Sequence, residues 1–599
     1  MTDWAAAPLE PVATTDTGLE LAGAAAAPVG VDDAEPTELF VPTPLPPPPA
    51  DAGGTGAGTR LSLTYADGRA KLKFVDDGRG RRLVASKRLP AGALALRVTP
   101  YAAVLLDSER AARCDWQLAK PQGRALLRCS KSQVARFASR ESQRAAWAAY
   151  YREECASLVA CSPRVPPPTA RLAARVLWRR RREDAAAAAG GGAAAAAAAD
   201  AAAGATAAAW DSYAAVESLE HHWGELGSER MQEYAGMAQL IRAFMRRQPL
   251  ASKPAAGDDE GDEGDEPVAV NDADAGLELK EIAVLLARFS CNIHTICDDE
   301  LRPIGVGLYP LAAMVNHSCR PSCTQSFVGR DIVFRALRPL AAGEELTISY
   351  VDLLATRQER RRALQASYFF DIDRGVLAAA PAPPARAEIA EGAVSVVWPE
   401  GPPWPCDDCD RQLCAVGAEG CCAIVSAGAD KVEVHCWGAL PAGFAPLQML
   451  HAWQAYDRAL ERSKKAQPQE AYRQLAAAVR TMDAPLALGE HHVVRTRTRI
   501  LLFKCAIDIG GLWEEALALS NRLTPSMVLV FPPVWSALGL HLAAVAKLEM
   551  LAEHPQAAMV AAKRATEMLE VTGNSAGAVG EELRRTRAEL RGCGADLHT

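Results

Sequence analysis

The 599-residue sequence lacks the marks of a membrane or secreted protein. Outside an Ala/Gly-rich stretch it has no apolar run of about eighteen residues, the length that a membrane-spanning helix needs. Its start, MTDWAAAPLEP, has neither the basic residues nor the apolar centre of a secretory signal, and it is acidic and free of Arg, unlike a transit peptide. We therefore expect a cytoplasmic or nuclear protein with no membrane contact, whose sixteen cysteines are free thiols or metal ligands.

Basic residues are missing from two acidic stretches. Residues 1–59 carry nine Asp or Glu and no Lys or Arg, and residues 258–274 carry another nine without a basic residue. Taking these eighteen from the 73 acidic residues leaves 55 acidic against 65 basic residues. The net charge of -8 therefore hides a mildly basic remainder, and the two acidic stretches are predicted to be a disordered tail and a linker.

A short series of motifs dominates the rest of the chain. Its centre runs from Met314 to Asp352 and contains Asn-His-Ser-Cys at 316–319 and Gly-Glu-Glu-Leu-Thr-Ile-Ser-Tyr at 343–350. Residues 331–337 and 346–350 within it are predicted to be strands, with a turn at Gly343. The flanking motifs, in chain order, are Gly-Arg-Gly at 78–80, Cys-Asn-Ile-His-Thr-Ile at 291–296, Gly-Leu-Tyr-Pro at 307–310 and Tyr-Phe-Phe at 368–370. Together they resemble the SET-domain protein lysine methyltransferases, and most of all the SET-and-MYND (SMYD) family.

The resemblance implies an α+β fold, with a β-rich SET domain and an all-α C-terminal domain. Ala471, Ala516 and Ala558 recur at intervals of 45 and 42 residues in a helical pattern, which is typical of tetratricopeptide-like hairpins. The implied regions are a disordered tail (1–59), the first part of the SET domain (60–112), a degenerate MYND-like module (113–158), a helical SET insert with linkers (159–276), the catalytic part of the SET domain (277–367), a degenerate post-SET region (368–440) and tetratricopeptide-like helices (441–599).

The resemblance also implies a site for S-adenosylmethionine and a lysine side chain. Free lysine has a pKa near 10.4, so a narrow apolar channel is needed to disfavour the ammonium form and align the neutral amine. Tyr350 is implied as the catalytic residue, and His294 stands in the channel where relatives usually have Phe. The implied cofactor-binding residues are Arg79, Gly80, Asn292, Asn316, His317, Tyr350 and Phe370, and the implied channel residues are His294, Tyr368 and Phe370.

The zinc sites of the family are degenerate in this sequence. The eight ligand positions of the MYND-like module map to Cys114, Gln117, Cys129, Ser132, Ala138, Ser142, Tyr150 or Tyr151, and Cys155. Three thiols cannot hold two zinc ions, so we expect no zinc there and expect packing around Leu126, Leu127, Val134, Phe137 and Trp147 to hold the module. In the post-SET region, Ile372 and Arg374 replace thiolates. Cys406, Cys409, Cys414 and Cys436 are either a displaced zinc site or ordinary reduced thiols.

We predict an S-adenosylmethionine-dependent protein-lysine N-methyltransferase that acts on a histone or another protein. The alternative is an inactive SET-domain scaffold that binds partner proteins through its helical C-terminal domain. We expect a monomer without direct nucleic-acid binding, since the chain has no aromatic residues interleaved with its Arg-rich segments. The arginines at 179–182 are either an import or phosphate patch or a solvated helix end.

Overall fold

The computed structural model describes residues 62–65, 70–75, 80–121, 123, 125–189, 210–247, 278–355, 357–371, 394–396, 423–427, 432–436, 446–465, 467–483 and 493–592. Its strands are β1 Ser62–Tyr65, β2 Ala70–Val75, β3 Gly80–Ala85, β4 Leu94–Val98, β5 Ala102–Leu105, β6 Leu127–Arg128, β7 Arg136–Phe137, β8 Ile293–Cys297, β9 Pro303–Leu308, β10 Asn316–His317, β11 Cys323–Val328, β12 Asp331–Ala336, β13 Thr347–Ile348, β14 Val394–Val396, β15 Ala423–Ala427 and β16 Val432–Cys436.

Its helices are α1 Arg140–Ala146, α2 Arg152–Ala160, α3 Pro168–Ala188, α4 Tyr213–Glu217, α5 Ser228–Met245, α6 Leu279–Asn292, α7 Arg357–Tyr368, α8 Pro446–Lys464, α9 Pro468–Asp483, α10 Val493–Ile509, α11 Trp513–Val530, α12 Ser536–Leu551, α13 Pro555–Thr572 and α14 Ala578–Gly592. All of the described strands precede the long helices at 446–592, which confirms the predicted α+β class with a helical C-terminal region. No helix in the described ranges combines the length and the apolar character needed to cross a bilayer.

Small sheets build the region that carries the motifs. They have the orders β1-β2-β3, β11-β12-β4 and β5-β9-β8, all antiparallel, while β10 and β13 form a short parallel pair. Strand β9 contains two glycines because neighbouring groups approach its backbone closely. A Cβ on Gly307 would lie 2.6 Å from the ring of Tyr309, and one on Gly305 would lie 2.7 Å from the carbonyl oxygen of Val104.

A buried ion network joins α3 to residues 113–158, the region predicted to be a MYND-like module. Arg171 and Arg175 of α3 donate to the two carboxylate oxygens of Glu154 over 2.8 and 2.9 Å, and Arg175 also donates to Asp115 over 2.8 Å. The hydroxyl of Tyr150 donates to the same Asp115 oxygen, and the Arg175 guanidinium lies 3.8 Å from the centre of the Tyr150 ring. Burial alone would raise the pKa of Asp115, but the two arginines outweigh it and lower that pKa.

The packing expected for this module is correct only in part. Phe137 is fully buried and packs edge-on against Tyr151, with 5.3 Å between ring centres. Leu127 and Trp147, however, are exposed on the surface. Phe137, which the prediction named, therefore holds the module together with Tyr151 and the buried charges beside α3, which it did not name.

The arginine run at 179–182 lies within α3 and forms ion pairs with neighbouring elements. Arg179 donates to Glu183 and to the carbonyl of Tyr101, and its guanidinium lies 4.0 Å from the centre of the Tyr101 ring. Arg180 pairs with Glu281, and Arg182 pairs with Glu153 over 2.8 Å. These three arginines therefore bind α3 to its neighbours and are not a freely solvated helix end, while a role of the run in import or phosphate binding stays a prediction.

The C-terminal helices form the expected hairpins and pack on the SET region. The alanines that repeat in the sequence, at 471, 516 and 558, are each fully buried in α9, α11 and α13. Leu353 and Leu354, just after the motif region, belong to the same apolar core as α10 to α14. Arg497 of α10 pairs with Glu359 of α7 over 2.8 Å, which adds a polar contact between the two layers.

Candidate functional site

The strand expected at 346–350 is shorter in the structure, because its last residue bonds to a side chain. Only Thr347 and Ile348 pair with β10, in the register Asn316 to Thr347 and His317 to Ile348. The backbone N–H of Tyr350 donates instead to Nδ1 of His317 over 2.9 Å. This hydrogen bond fixes the position of the tyrosine relative to the Asn-His-Ser-Cys motif.

His317 is held as one neutral tautomer. Since Nδ1 accepts from Tyr350, the proton lies on Nε2, which is 3.4 Å from the sulfur of Cys319. Burial of the ring, with a smaller contribution from the charge of Arg360, lowers the pKa of His317 to about 3. The ring is therefore uncharged at neutral pH and forms a fixed polar surface beside Tyr350.

Four aromatic rings surround the end of β13. The ring of Tyr350 lies 4.6 Å from that of Tyr368 and 5.4 Å from that of His317, centre to centre. The ring of Phe370 lies 6.1 Å from His317 and 6.4 Å from Tyr368. The structure thus brings together four of the residues that the sequence predicted for the site.

The hydroxyl of Tyr350 has a fixed orientation. It donates to the carbonyl oxygen of Val315 over 2.6 Å, so its own oxygen presents lone pairs as an acceptor. Burial raises the pKa of Tyr350 well above its usual value, and the Tyr368 hydroxyl adds to this effect. Tyr350 therefore stays protonated at neutral pH and is suited to electrostatic positioning rather than to proton removal.

Two asparagine amides are fixed beside this cluster. The amide nitrogen of Asn316 donates to the carbonyl of Arg81 over 3.2 Å and to Glu345 over 2.9 Å. The amide nitrogen of Asn292 donates to the carbonyls of Glu220 and Arg288, both over 2.8 Å. These bonds leave each amide oxygen as a fixed acceptor.

The donor and acceptor set fits S-adenosylmethionine. Fixed amide oxygens of Asn292 and Asn316 suit the ammonium group at the methionyl end, which needs acceptors. The extended backbone at Gly80, at the start of β3, has no side chain to prevent a close approach. The faces of Phe370 and His317 suit a planar base.

His294 lies in a different environment from the aromatic cluster. Its ring packs edge-on against Tyr309, with 5.7 Å between ring centres. Burial lowers its pKa to about 4, while the contact with Gln325 acts in the opposite direction. Among the described contacts, no ring contact joins His294 to Tyr350, Tyr368 or Phe370, so its predicted place in the channel remains a proposal.

One group of former zinc positions still converges, but its chemistry differs. The sulfurs of Cys129 and Cys155 lie 3.8 Å apart, and the hydroxyls of Ser132 and Tyr151 share a hydrogen bond of 2.6 Å. Burial alone would raise the pKa of Cys129, but hydrogen bonds with Tyr151 and Ser132 outweigh it and lower that pKa. Two thiols and two hydroxyls do not fit a structural zinc ion. Over the part of the chain that the structure describes, no three His, Cys, Asp or Glu side chains form a metal-binding group.

Some predicted residues fall outside the described residues. These are Arg79 of the predicted cofactor loop, and Cys406, Cys409 and Cys414 of the candidate zinc group. Cys436 is the last residue of β16, and only its backbone position is described. Ile372 and Arg374 also lie outside the described ranges.

The structure adds residues that sequence reasoning missed. Glu345 accepts from the Asn316 amide and approaches Arg82 within 3.7 Å. Because Glu345 lies inside the recognised Gly-Glu-Glu-Leu motif, its place in the site could have been predicted from the sequence. The loop from Ser218 to His222 had no such signal. Arg81 donates to the Ser218 carbonyl over 2.6 Å, and Asn292 donates to the Glu220 carbonyl, so this loop borders both asparagine sites.

Comparisons with known proteins agree with this geometry. The family model for the SET domain matches residues 80–351. Histone-lysine N-methyltransferase SMYD3 of Mus musculus is 30% identical over 301 residues, which cover 50% of this chain and 60% of that protein. Histone-lysine N-methyltransferase ASHR1 of Arabidopsis thaliana is 27% identical over 295 residues, covering 49% and 52%. N-lysine methyltransferase SMYD2-B of Xenopus laevis is 26% identical over 319 residues, covering 53% and 63%.

The matched part thus spans 52 to 63% of the length of these relatives. The range matched by the SET family model includes β3, β10, β13 and the residues that hold Asn316 and Tyr350. The predicted resemblance is therefore confirmed by the family model and by the named relatives together. Residues 80–351 of the chain therefore match the SET domain, and the chain is similar to the SMYD lysine methyltransferases.

Proposed function

We propose that the chain is an S-adenosylmethionine-dependent protein-lysine N-methyltransferase. The observation that supports this most strongly is the Tyr350 hydroxyl, fixed by the Val315 carbonyl at 2.6 Å inside the aromatic cluster. The named relatives are histone-lysine or N-lysine methyltransferases, which favours the same activity here. When bound, S-adenosylmethionine supplies the electrophilic methyl group.

The residues of the site serve this reaction in separate ways. Tyr350, Tyr368 and Phe370 enclose the lysine side chain in apolar surface, which disfavours its ammonium form and lowers its pKa. The Tyr350 oxygen, whose proton is held by Val315, stabilises positive charge near the transferring methyl as an acceptor. Neutral His317 fixes the tyrosine backbone without adding a positive charge that would oppose the cationic cofactor.

The cofactor side depends on Asn292 and Asn316. Their amide oxygens are proposed to accept from the methionyl ammonium group, and their amide nitrogens are held by backbone carbonyls and Glu345. His294 is proposed to affect substrate choice or the number of methyl groups added. The protein substrate is proposed to be a histone or another lysine-bearing protein in the nucleus or cytoplasm, and the C-terminal helices are proposed as a surface for partner proteins.

Calorimetric titration with S-adenosylmethionine tests the cofactor assignment. Asn316→Ala removes the fixed acceptor, so it should abolish measurable binding while the circular dichroism spectrum stays unchanged. Asn521→Ala is a matched control, because Asn521 is exposed on α11 and far along the chain from the site. No heat from the wild type at millimolar cofactor would contradict the proposed function and favour the scaffold alternative.

A further inference from the structure

Alternate residues in the segment from Tyr368 to Asp371 contact different parts of the protein. Tyr368 and Phe370 contribute their rings to the aromatic cluster with Tyr350 and His317. Phe369 and Asp371 make their contacts elsewhere. The position of the two cluster rings therefore depends on what holds Phe369 and Asp371.

Phe369 has a backbone conformation that needs support from its surroundings. Its N–H donates to the Gln365 carbonyl over 3.2 Å as α7 ends, and its φ of +58° lies in the left-handed region. A bulky aromatic residue rarely adopts this conformation unless other contacts hold it there. The supporting contact is a stack with His222, at 4.7 Å between ring centres and 23° between ring planes.

His222 is itself held in place. Its φ of +48° is also left-handed, and its Nδ1 lies 2.8 Å from the Glu225 carboxylate. Two neighbouring loops with left-handed aromatic residues thus meet at a single stacked pair. Strained backbone of this kind persists only where the surrounding structure determines it, and it concentrates at functional sites.

Asp371 forms the second anchor of the segment. One of its carboxylate oxygens accepts from Nε and Nη2 of Arg361 over 3.0 and 2.5 Å, and from the Gln365 amide over 3.1 Å. Both donors belong to α7, so the segment folds back along the helix that it follows.

The loop that carries His222 also reaches the cofactor side. Ser218 accepts from Arg81 through its hydroxyl over 3.1 Å and through its carbonyl over 2.6 Å. The carbonyl of Glu220 accepts from Asn292 over 2.8 Å. The same short loop therefore contacts the two elements that border the asparagine sites and, through His222, the aromatic wall of the channel.

We propose that His222, Phe369 and Asp371 form a wall clasp, in which His222 is a positioning residue for methyl transfer. The wall clasp holds Tyr368 and Phe370 against Tyr350 and connects the channel wall to the loop beside the cofactor residues. It deepens the proposed function, on which it rests. Loss of the stack lets the wall move, which disturbs the alignment of the lysine amine more than it disturbs cofactor binding.

The test compares His222→Ala with His222→Phe, which restores a stackable ring, and with the exposed control His554→Ala in the C-terminal region. The stabilisation from an aromatic pair of this kind corresponds to about a three- to tenfold change in a rate or equilibrium constant. We expect His222→Ala to lower kcat about three- to tenfold, with the affinity for S-adenosylmethionine and the melting temperature unchanged. His222→Phe should recover most of the lost turnover, and His554→Ala should match the wild type.

Hydrogen exchange of a peptide covering 366–371 gives a readout that is independent of activity. Exchange in this peptide should become about three- to tenfold faster in His222→Ala and return toward the wild-type rate in His222→Phe. Unchanged exchange in His222→Ala would overturn the wall clasp, even if the wild type methylates lysine. Faster exchange with rescue supports it, even if the wild type transfers no methyl group and the proposed function fails.

Discussion

Glu154→Gln should destabilise the protein far more than the equivalent change at the preceding residue, Glu153. Glu154 is fully buried and bonds to Arg171 and Arg175, which are 0 and 2% exposed. The substitution conserves volume but leaves two buried guanidinium groups against the single carboxylate of Asp115. Breaking a buried pair in this way costs about 3–5 kcal/mol.

Urea denaturation followed by tryptophan fluorescence measures this effect, with Glu153→Gln as the matched control. Glu153 is one residue away on α2, its side chain is 22% exposed, and it pairs with Arg182 at the surface, where such pairs contribute about 0–1 kcal/mol. A double change that removes charge from both sides, Glu154→Met with Arg171→Met, should recover part of the loss. Equal destabilisation by Glu154→Gln and Glu153→Gln would refute the idea that buried charges hold this module.

Three further predictions concern protons, metal and domain packing. His294 has a pKa of about 4 in the folded protein and about 6.5 when unfolded, so its contribution to stability is present above pH 6.5 and is lost as the pH falls toward 4. His294→Phe should therefore reduce the loss of unfolding free energy between pH 7 and pH 5 by about 2 kcal/mol, as measured by urea titrations at the two pH values. An equal loss in the variant and the wild type would contradict this prediction. Elemental analysis should find no more than about one zinc ion per chain, because only three of the eight module ligands are thiols, and two or more would show that the ligand mapping is wrong. Gly573→Ala should lower stability by about 1 kcal/mol or more in thermal melts, since φ is +84° and a Cβ would lie 2.9 Å from Arg335, whereas Gly592→Ala, with no atom within 4 Å of its Cβ, should have little effect.

The local motifs could be predicted from the sequence because each carries its own signal. Alternation and the Gly343 turn predicted strands near β12 and β13, and the repeated buried alanines predicted the C-terminal hairpins. The joint presence of Asn316 and Tyr350 in their motifs predicted that they share a site. The parallel pairing of β10 with β13 places them together.

The rest depends on contacts between distant parts of the chain. The strand before Tyr350 is shorter than predicted because the backbone N–H of Tyr350 donates to the ring of His317. Hydrophobic periodicity does not predict such a bond between backbone and side chain. Arg180 meets Glu281 across 101 residues and Arg182 meets Glu153 across 29 residues, so the sequence suggested a solvated arginine run where the structure has ion pairs. The stack of His222 on Phe369 joins segments that carry no shared pattern.

The rate of methyl transfer by the Tyr350→Phe variant most directly tests the central claim, that Tyr350 supports methyl transfer to lysine. The change removes one hydroxyl that donates to Val315 and leaves the aromatic ring, so the variant should fold normally and keep its affinity for S-adenosylmethionine. A transition-state contact of this kind supports on the order of 10²–10³ in rate. Tyr472→Phe, which removes a partly buried hydroxyl in the C-terminal helices, is the matched control and should keep full activity.

The measurement is transfer of labelled methyl groups to a histone mixture and to a whole-cell protein extract, with the product identified by mass spectrometry. We predict labelling of lysine ε-nitrogen by the wild type and by Tyr472→Phe, and a loss of about 10²–10³ in Tyr350→Phe. Full activity in Tyr350→Phe would contradict this account, as would a cofactor-binding wild type that labels no lysine while a related active enzyme labels the same extract readily.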